Sequence, residues 1–428
     1  MDVMDLEQKL AVLMSLAADD REGMPGRERV MAPLPPRLRN AGRQGALGPL
    51  NLRNVRVPGR GRATLLRVLM TNACSYNCHY CPMRRDRDMP RTLLTPEELV
   101  RIFLGARERG WCDGLFVTTG IPGRPVAVMD RIIQVLELLR FRHGFTGYVH
   151  VKIVPGADPA QIERVVELAN RVSVNLEAPC GATLPTIAPE KRFEVADGAL
   201  ARAQSLVRLE RAERRDGKPA DVARPGGVAG MTVQFVVGAT SDSDRTFVGK
   251  VAALHAAGGL HHAHFSAFRP IRDTPMESVA ATPALREHRL YQTDYLLRDY
   301  GFGFDEIPFD AAGNLSLAVD PKAAAALAQP DRFPVEVRTA PYELLLRVPG
   351  IGPASARRIV AERAATTIRS LADLRGLGVV ASRAAGFLTI GGRRVQDVRW
   401  AEQLPLWAAD PDLGRRARVH EFSPGTFR

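Results

Sequence analysis

The chain has 428 residues, 45% of them hydrophobic, with only five Cys. That is enough for two or three domains of roughly 100–200 residues, and it excludes a disulfide-stapled miniprotein, a fibre and a disordered tail. The formal net charge is +12, which suits a polyanionic partner. No run of about 18 apolar residues occurs, and the opening Met1-Asp2-Val3-Met4-Asp5 is acidic where a signal peptide needs a basic start. A cytoplasmic protein without a membrane partner is therefore expected.

In chain order, residues 2–20 read as a short amphipathic helix (Leu6, Leu10, Leu13, Met14, Ala17). Residues 21–62 hold ten Arg against two Glu, with many Pro and Gly and no hydrophobic period. Together, 1–62 are expected to form an N-terminal helix followed by a basic, loop-rich extension. From Ala63 the pattern alternates. Strands are predicted at 63–69, 114–119, 147–154, 172–177, 231–238 and 261–268. Helices are predicted at 95–109, 129–142, 159–169, 193–213 and 242–257. Six strand–helix units are too few to close an eight-stranded barrel, so the α/β class predicted is a partial, TIM-like (β/α)6 barrel. Residues 211–230 read as an insertion and 283–300 as a helical arm, which places the barrel domain at 63–335. A small all-α segment at 336–392 and a tail at 393–428 complete the chain.

Chemistry concentrates directly after the first strand. Met70-Thr71-Asn72-Ala73-Cys74-Ser75-Tyr76-Asn77-Cys78-His79-Tyr80-Cys81 spaces three thiols as C-x3-C-x2-C, at the strand end where barrel sites assemble. Three thiolates can hold three irons of a 4Fe-4S cluster and leave the fourth open. A structural zinc site is the alternative, but it normally closes with four ligands, and no second Cys or His pair is spaced to finish it.

Strand alternation places further polar residues on common faces: Ser173 with Asn175 and Glu177, His262 with His264 and Ser266, His150 with Lys152. Polar inward faces imply a lumen that holds a polar ligand. Tyr76, His150, Lys152 and His264 are the candidates for work near substrate. The His261/His262/His264 group lacks a third ligand type for a separate metal. Cys112 and Cys180 read as inert, although Cys180 follows a strand at the site-bearing end.

The cysteine spacing, with aromatic Tyr80 before the last Cys, resembles the radical S-adenosylmethionine (SAM) superfamily. The resemblance implies that Cys74, Cys78 and Cys81 hold a 4Fe-4S cluster whose open iron chelates SAM. An electron, from a donor such as flavodoxin or ferredoxin, would then cleave SAM to a 5′-deoxyadenosyl radical. It also implies that the backbone of Thr118-Thr119-Gly120 receives the SAM amino group, although the Glu of the usual Gly-Gly-Glu loop is absent. Asn175 and Glu177 would hold the ribose hydroxyls, adenine would pack on Val236, Val237 and Gly238, and Tyr80 would flank the cluster.

Residues 336–394 carry ten Arg against four acids. Within them, Val348-Pro349-Gly350-Ile351-Gly352 joins two predicted helices (341–347 and 353–363), and Arg375-Gly376-Leu377-Gly378 begins a weaker copy. Glycine turns at helix starts aim N–H groups at an anion, with Arg357, Arg358, Arg375 and Arg383 adding charge. The segment is similar to helix-hairpin-helix modules of DNA repair proteins, which grip sugar-phosphate backbones with little base reading. This implies nucleic-acid binding through Gly350, Ile351, Gly352, Arg357, Arg358, Gly376, Gly378 and Arg383, DNA ahead of RNA.

Over residues 63–392 the chain resembles a bacterial radical SAM family linked to a uracil-DNA glycosylase-like protein and to DNA modification or repair. The stretches that carry the likeness include Gly147-Tyr148-Val149-His150-Val151-Lys152, Ser173-Val174-Asn175-Leu176-Glu177 and Ser266-Ala267-Phe268-Arg269-Pro270. The functions in view are a radical enzyme on DNA, the same chemistry on RNA or a partner protein, and a DNA-binding scaffold with a structural or redox-sensing cluster.

Overall fold

The computed structural model describes residues 5–17, 52–57, 61–217, 227–228 and 230–395. The described residues fall into two compact units, one comprising those up to Asp242 with Leu254–Glu287, the other Ser243–Ala253 with those from His288 onward. The arm expected to belong to the barrel thus groups mostly with the second unit.

The first unit begins with helix α1 (Leu6–Ala17) and strand β1 (Leu52–Val57). An open sheet follows in the order β1-β2-β3-β4-β5-β6-β7, with β2 (Gly61–Leu69), β3 (Gly114–Thr118), β4 (Val149–Ile153), β5 (Arg171–Glu177), β6 (Met231–Val237) and β7 (Leu260–Ala267). Strands β2 to β7 are parallel. They are separated by α2 (Pro96–Glu108), α3 (Pro125–Glu137), α4 (Pro159–Leu168), α5 (Phe193–Arg215) and α6 (Asp244–Ala257). Six parallel strands with crossover helices form the predicted half-barrel. Strand β1 corrects the expectation of a loop-rich 21–62, because it pairs antiparallel with β2 and extends the sheet edge. The other residues of 18–60 lie outside the described ones.

Local chemistry explains the helix starts. Thr95 caps α2 in a box with Glu98, and Glu98 also takes Lys9 Nζ at 2.9 Å from α1. Beyond α3 the chain makes one wider turn, Leu138–Arg142. There the buried Arg140 donates to the carbonyls of Leu168, Phe145 and Gly147 and to Asn170 Oδ1. The strands' outward residues (Val68, Val117, Val151, Val172, Val174, Val233) are fully buried, forming the apolar layer under the helices.

The second unit contains α7 (Ala284–Asp299), which starts in the first, then α8 (Pro321–Leu327), α9 (Tyr342–Leu345), α10 (Pro353–Ala365), α11 (Leu371–Gly376) and α12 (Ala381–Ala384). The hairpin region within 336–392 is helical as expected, with a few strand residues in addition. Strands β8 (Val335–Glu336), β9 (Leu388–Ile390) and β10 (Arg393–Arg394) form a small sheet in the order β10-β9-β8. Strands of two or three residues fall below the length at which alternation is readable in sequence. No described helix is long and apolar enough to cross a membrane.

Candidate active site and hairpin surface

The cysteine loop leaves β2 at the C-terminal end of the sheet and is tied down on three sides. Gly120 N donates to Thr71 O at 2.7 Å and Ser75 N to Ile121 O at 2.8 Å, so the loop after β3 runs against the first cysteine. A Cβ at Gly120 would collide with Ala73 O, which explains the glycine. On the second side, Arg91 donates to the carbonyls of Asn72, Met83, Arg84 and Arg87, and Asn72 bonds Pro90 O and Thr92 N. On the third, His79 N reaches Ile187 O at 2.8 Å and its Nδ1 lies 3.0 Å from Thr186 O. His79 therefore anchors the loop. Arg91 went unnoticed in the sequence because nothing local marks an arginine that will gather four carbonyls from its own loop.

Cys78 is buried, Cys74 and Cys81 half-buried. Cys78 packs with Ala178, Val236 and Phe268, with Tyr76, Tyr80 and Cys81 at the edge. Burial pushes the Cys78 thiol up to about 11, a rise that Lys191 opposes and neighbouring anions reinforce. Burial, then Cys78, pushes Cys81 up to about 12. Such thiols stay protonated until a metal takes the proton's place. Among the described residues, no three His, Cys, Asp or Glu side chains converge on one ion-sized point. A four-iron cube is wider than an ion, and three soft thiol donors from one loop suit it.

Beside the loop, β5 ends irregularly. A bulge falls between Asn175 and Glu177, and Glu177 sits at φ 65°, a left-handed conformation that costs a non-glycine residue about 1–3 kcal/mol. Its carboxylate, 2% exposed, holds Lys191 Nζ at 2.7 Å and is 3.4 Å from Asn175 Nδ2. Lys191 is the residue that sequence reading missed, since a Glu–Lys pair fourteen positions apart has no periodic signature. Burial, followed by Glu177, pushes the Tyr80 phenol well above its usual range. Burial is also the main reason that the Tyr76 phenol is raised, and Tyr76 packs at the edge of the Cys78 cluster. Two buried acceptors have no partner, Asn175 Oδ1 and Glu177 Oε2. Unpaired buried acceptors are costly, and a ligand bearing hydroxyl or amino hydrogens would satisfy both. SAM carries such donors on its ribose and adenine, so the residues present fit it.

Other expected SAM contacts are mixed. Thr118 O accepts from Met70 N and Gly120 O from Thr119 Oγ1 at 2.7 Å, so these two carbonyls are already engaged. Gly238 has φ 79°, and a Cβ there would strike Thr282. Its glycine is thus required by Thr282, which also donates to Val237 O.

The lumen face forms rows across the strands. Arg67, Phe116, His150 and Arg171 are in register, then Lys152, Ser173, Thr232 and His262, then Asn175, Gln234 and His264. Lys152 donates to Gln234 Oε1 at 2.8 Å, and His150 Nε2 is 3.1 Å from Ser173 Oγ. His262 Nε2 lies 3.0 Å from His264 Nε2. Burial first, then the charges of Arg171, His264, Lys152 and Arg67, pushes His150 well below the ordinary histidine range. His150 is a neutral, buried residue low in the lumen. Cys112 is buried in the core, its thiol raised to about 12 by burial, whereas Cys180 Sγ lies 3.6 Å from Asp242 Oδ1.

In the second unit the two hairpins clasp each other. Gly350 has φ 82° and a Cβ there would meet Val380 O at 2.5 Å, while Val380 N donates to Gly350 O at 2.9 Å. Gly378, at φ 86°, accepts Ser355 Oγ at 2.7 Å. Gly352 caps α10 in extended backbone. Gly376 has open space around it. Arg357, Arg358 and Arg375 are exposed. Two expected nucleic-acid contacts are turned inward instead. Ile351 is a core residue, 1% exposed, and Arg383, 8% exposed, is paired with Asp320 at 2.5 Å. Periodicity does not distinguish an arginine that meets a helix-capping aspartate 63 positions away from one that faces solvent.

Residues 68–208 match the model of the radical SAM superfamily, and residues 332–389 match that of the helix-hairpin-helix motif. No curated protein matches the chain. Among solved structures it is similar to HydG, a maturase of the [FeFe]-hydrogenase, with 16% identity over 55% of this chain and 49% of that one, TM-score 0.42. It is similar to methylornithine synthase (PylB) with 14% identity over 55% and 61%, TM-score 0.42. It is similar to the radical SAM methyltransferase TsrM from Kitasatospora setae with 15% identity over 83% and 62%, TM-score 0.35. The chain spans 49% of the first and 61% of the second, and likenesses this low carry no argument about function. The superfamily match over the cysteine loop and strands β3 to β5 does: residues 68–208 form a radical SAM domain, which implies a 4Fe-4S cluster and SAM, and residues 332–389 carry a helix-hairpin-helix motif.

Proposed function

We propose that this radical SAM enzyme acts on nucleic acid, DNA ahead of RNA, in modification or repair. The observation that carries the reading is the presence in one chain of a cysteine loop flanked by unsatisfied acceptors and of clasped hairpins bearing exposed Arg357, Arg358 and Arg375. Cys74, Cys78 and Cys81 hold the cluster. Glu177 Oε2 and Asn175 Oδ1 accept hydrogens from SAM, Lys191 fixes the Glu177 carboxylate, and Val236 and Tyr80 supply apolar surface. When bound, cluster and SAM supply one-electron chemistry that ends in hydrogen abstraction from substrate. His264, in register with Asn175 and Gln234, lines the lumen toward the reacting end, and Lys152 lines it one row below.

The hairpins position the polymer by its phosphates, which fits backbone N–H groups at helix starts and exposed guanidinium charges. A base stacked in a duplex is out of reach of a lumen site, so the target nucleotide is flipped, damaged or single-stranded. A flavodoxin- or ferredoxin-class electron donor and a uracil-DNA glycosylase-like partner follow from the family resemblance.

The test is anaerobic. The cluster is reconstituted and reduced with dithionite, SAM is added, and 5′-deoxyadenosine is quantified with DNA, with RNA and alone, beside Cys78→Ala. Product that rises with DNA and vanishes in the variant supports the reading. A rise with RNA only would move the substrate. None in any condition, with a verified cluster, would leave a DNA-binding scaffold.

A further inference from the structure

The floor of the half-barrel is built of cations. The six parallel strands contain a single carboxylate, Glu177, at the opposite, C-terminal end of β5, and Lys191 already holds it. The in-register row that holds Arg171, the first residue of β5, also carries Arg67 on the lumen face, the two 5% and 1% exposed, with Lys152 one row above. Phe116 lies between them, its ring 5.0 Å from the Arg67 guanidinium and 5.9 Å from Lys152 Nζ.

Arg171 is the decisive residue. Its Nε and Nη2 are buried and hydrogen-bond to nothing among the described residues. A guanidinium cannot shed its proton, and buried donors of a charged group left without an acceptor are expensive. Two adjacent donors of a planar fork match the two oxygens of a phosphate or carboxylate.

We propose that the lower lumen, centred on Arg171 and flanked by Arg67 and Lys152, binds an oxyanion, phosphate or carboxylate, carried by the substrate. The substrate then enters with its anionic group toward the floor and its reacting atom toward the cysteine loop. The neutral His150 beside it hydrogen-bonds Ser173 and adds no carboxylate to compete. This deepens the radical-enzyme reading, on which the word substrate rests. Anion binding itself is separable from it, because it needs no SAM turnover.

The experiment uses the full-length, cluster-loaded protein under anaerobic conditions. Inorganic phosphate and acetate are titrated separately, with ionic strength held constant by chloride, and amide hydrogen exchange is mapped along β4, β5 and residues 350–358. Expected is slower exchange over β4 and β5 with one of the two anions, and the anion that acts identifies phosphate or carboxylate as the class. Arg171→Gln should weaken that anion's apparent affinity about tenfold or more, with Arg171→Lys between the two. Protection confined to 350–358, an equal response in Arg171→Gln, or no protection with either anion overturns the proposal. If Arg171→Gln does not fold, the exchange map of the unmutated protein decides alone.

Discussion

The half-barrel and the hairpin unit treat their polar groups in opposite ways. In the half-barrel, unsatisfied groups face inward: Asn175 Oδ1, Glu177 Oε2 and two Arg171 nitrogens are buried without partners. In the hairpin unit, the inward polar groups are answered by the chain itself, Arg383 by Asp320 and Ser355 by Gly378 O, while Arg357, Arg358 and Arg375 face water. A buried unsatisfied group lowers stability until a ligand arrives, so the barrel is a ligand site by deficit. An exposed cation costs nothing to leave in water, so the hairpins are a docking surface by surplus.

That contrast can be broken most severely at the cysteines. Cys78→Ala should remove the cluster's visible absorption and abolish deoxyadenosine formation, while DNA affinity measured by anisotropy stays within about twofold. Next is Glu177→Gln, which strips the carboxylate from a buried ammonium. Breaking one side of such a pair costs about 3–5 kcal/mol, read as a lower urea midpoint, with weaker SAM binding by calorimetry. In the hairpins the corresponding pair is Gly350→Ala against Gly376→Ala. The first forces a side chain into positive φ against Val380 O and should lose about 1–3 kcal/mol. The second has open space and an ordinary φ, and should be neutral or up to about 1 kcal/mol stabilising.

The lumen's cationic character also gives a pH signature. His150 is buried against Phe116 and Ser173 and faces Arg171, His264, Lys152 and Arg67, all of which disfavour its protonation. Its folded pKa is depressed, so as pH falls below about 6.5 the unfolded chain takes up the proton first. Stability from this group is present above that pH and drops by up to about 1.4 kcal/mol per unit below it. Thermal unfolding from pH 7.5 to 5 should show that slope in the wild type and a shallower one in His150→Gln. Equal slopes would mean that His150 is not the group responsible.

What was legible in the sequence follows the length over which a cause acts. The six strands and their helices announce themselves by period, and the three cysteines by spacing, because both are set by neighbours within a dozen residues. Strand β1 was hidden since its pairing with β2 is decided by the partner strand, not by its own Arg-rich composition. Lys191 and Arg91 were hidden because their roles are carbonyls and a carboxylate supplied by other segments. The alternation of Ser173, Asn175 and Glu177 was readable, but the bulge that re-aims Glu177 was not. Arg383 was misread for the same reason: its partner, Asp320, caps a different helix.

Arg383 therefore gives the finest test of deficit against surplus, inside one hairpin pair. Burial pushes the Asp320 carboxyl up, but Arg383 and the Ala323 N–H more than offset this and hold it below the usual range. Arg383→Ala removes that support and leaves a buried carboxylate, so it should cost about 3–5 kcal/mol without changing the salt dependence of DNA binding in the protein that remains folded. Arg357→Ala with Arg358→Ala does the reverse. Both side chains are exposed, so stability should stay within about 0.5 kcal/mol. If each neutralises one phosphate, the slope of log K against log salt should become shallower by about 1.8, uniformly across DNA sequences. Deoxyadenosine formed without DNA should be unchanged, since these residues belong to the surface and not to the site. A slope unaltered by the double variant would transfer phosphate contact away from these arginines, and a slope altered by Arg383→Ala would return that residue to the interface.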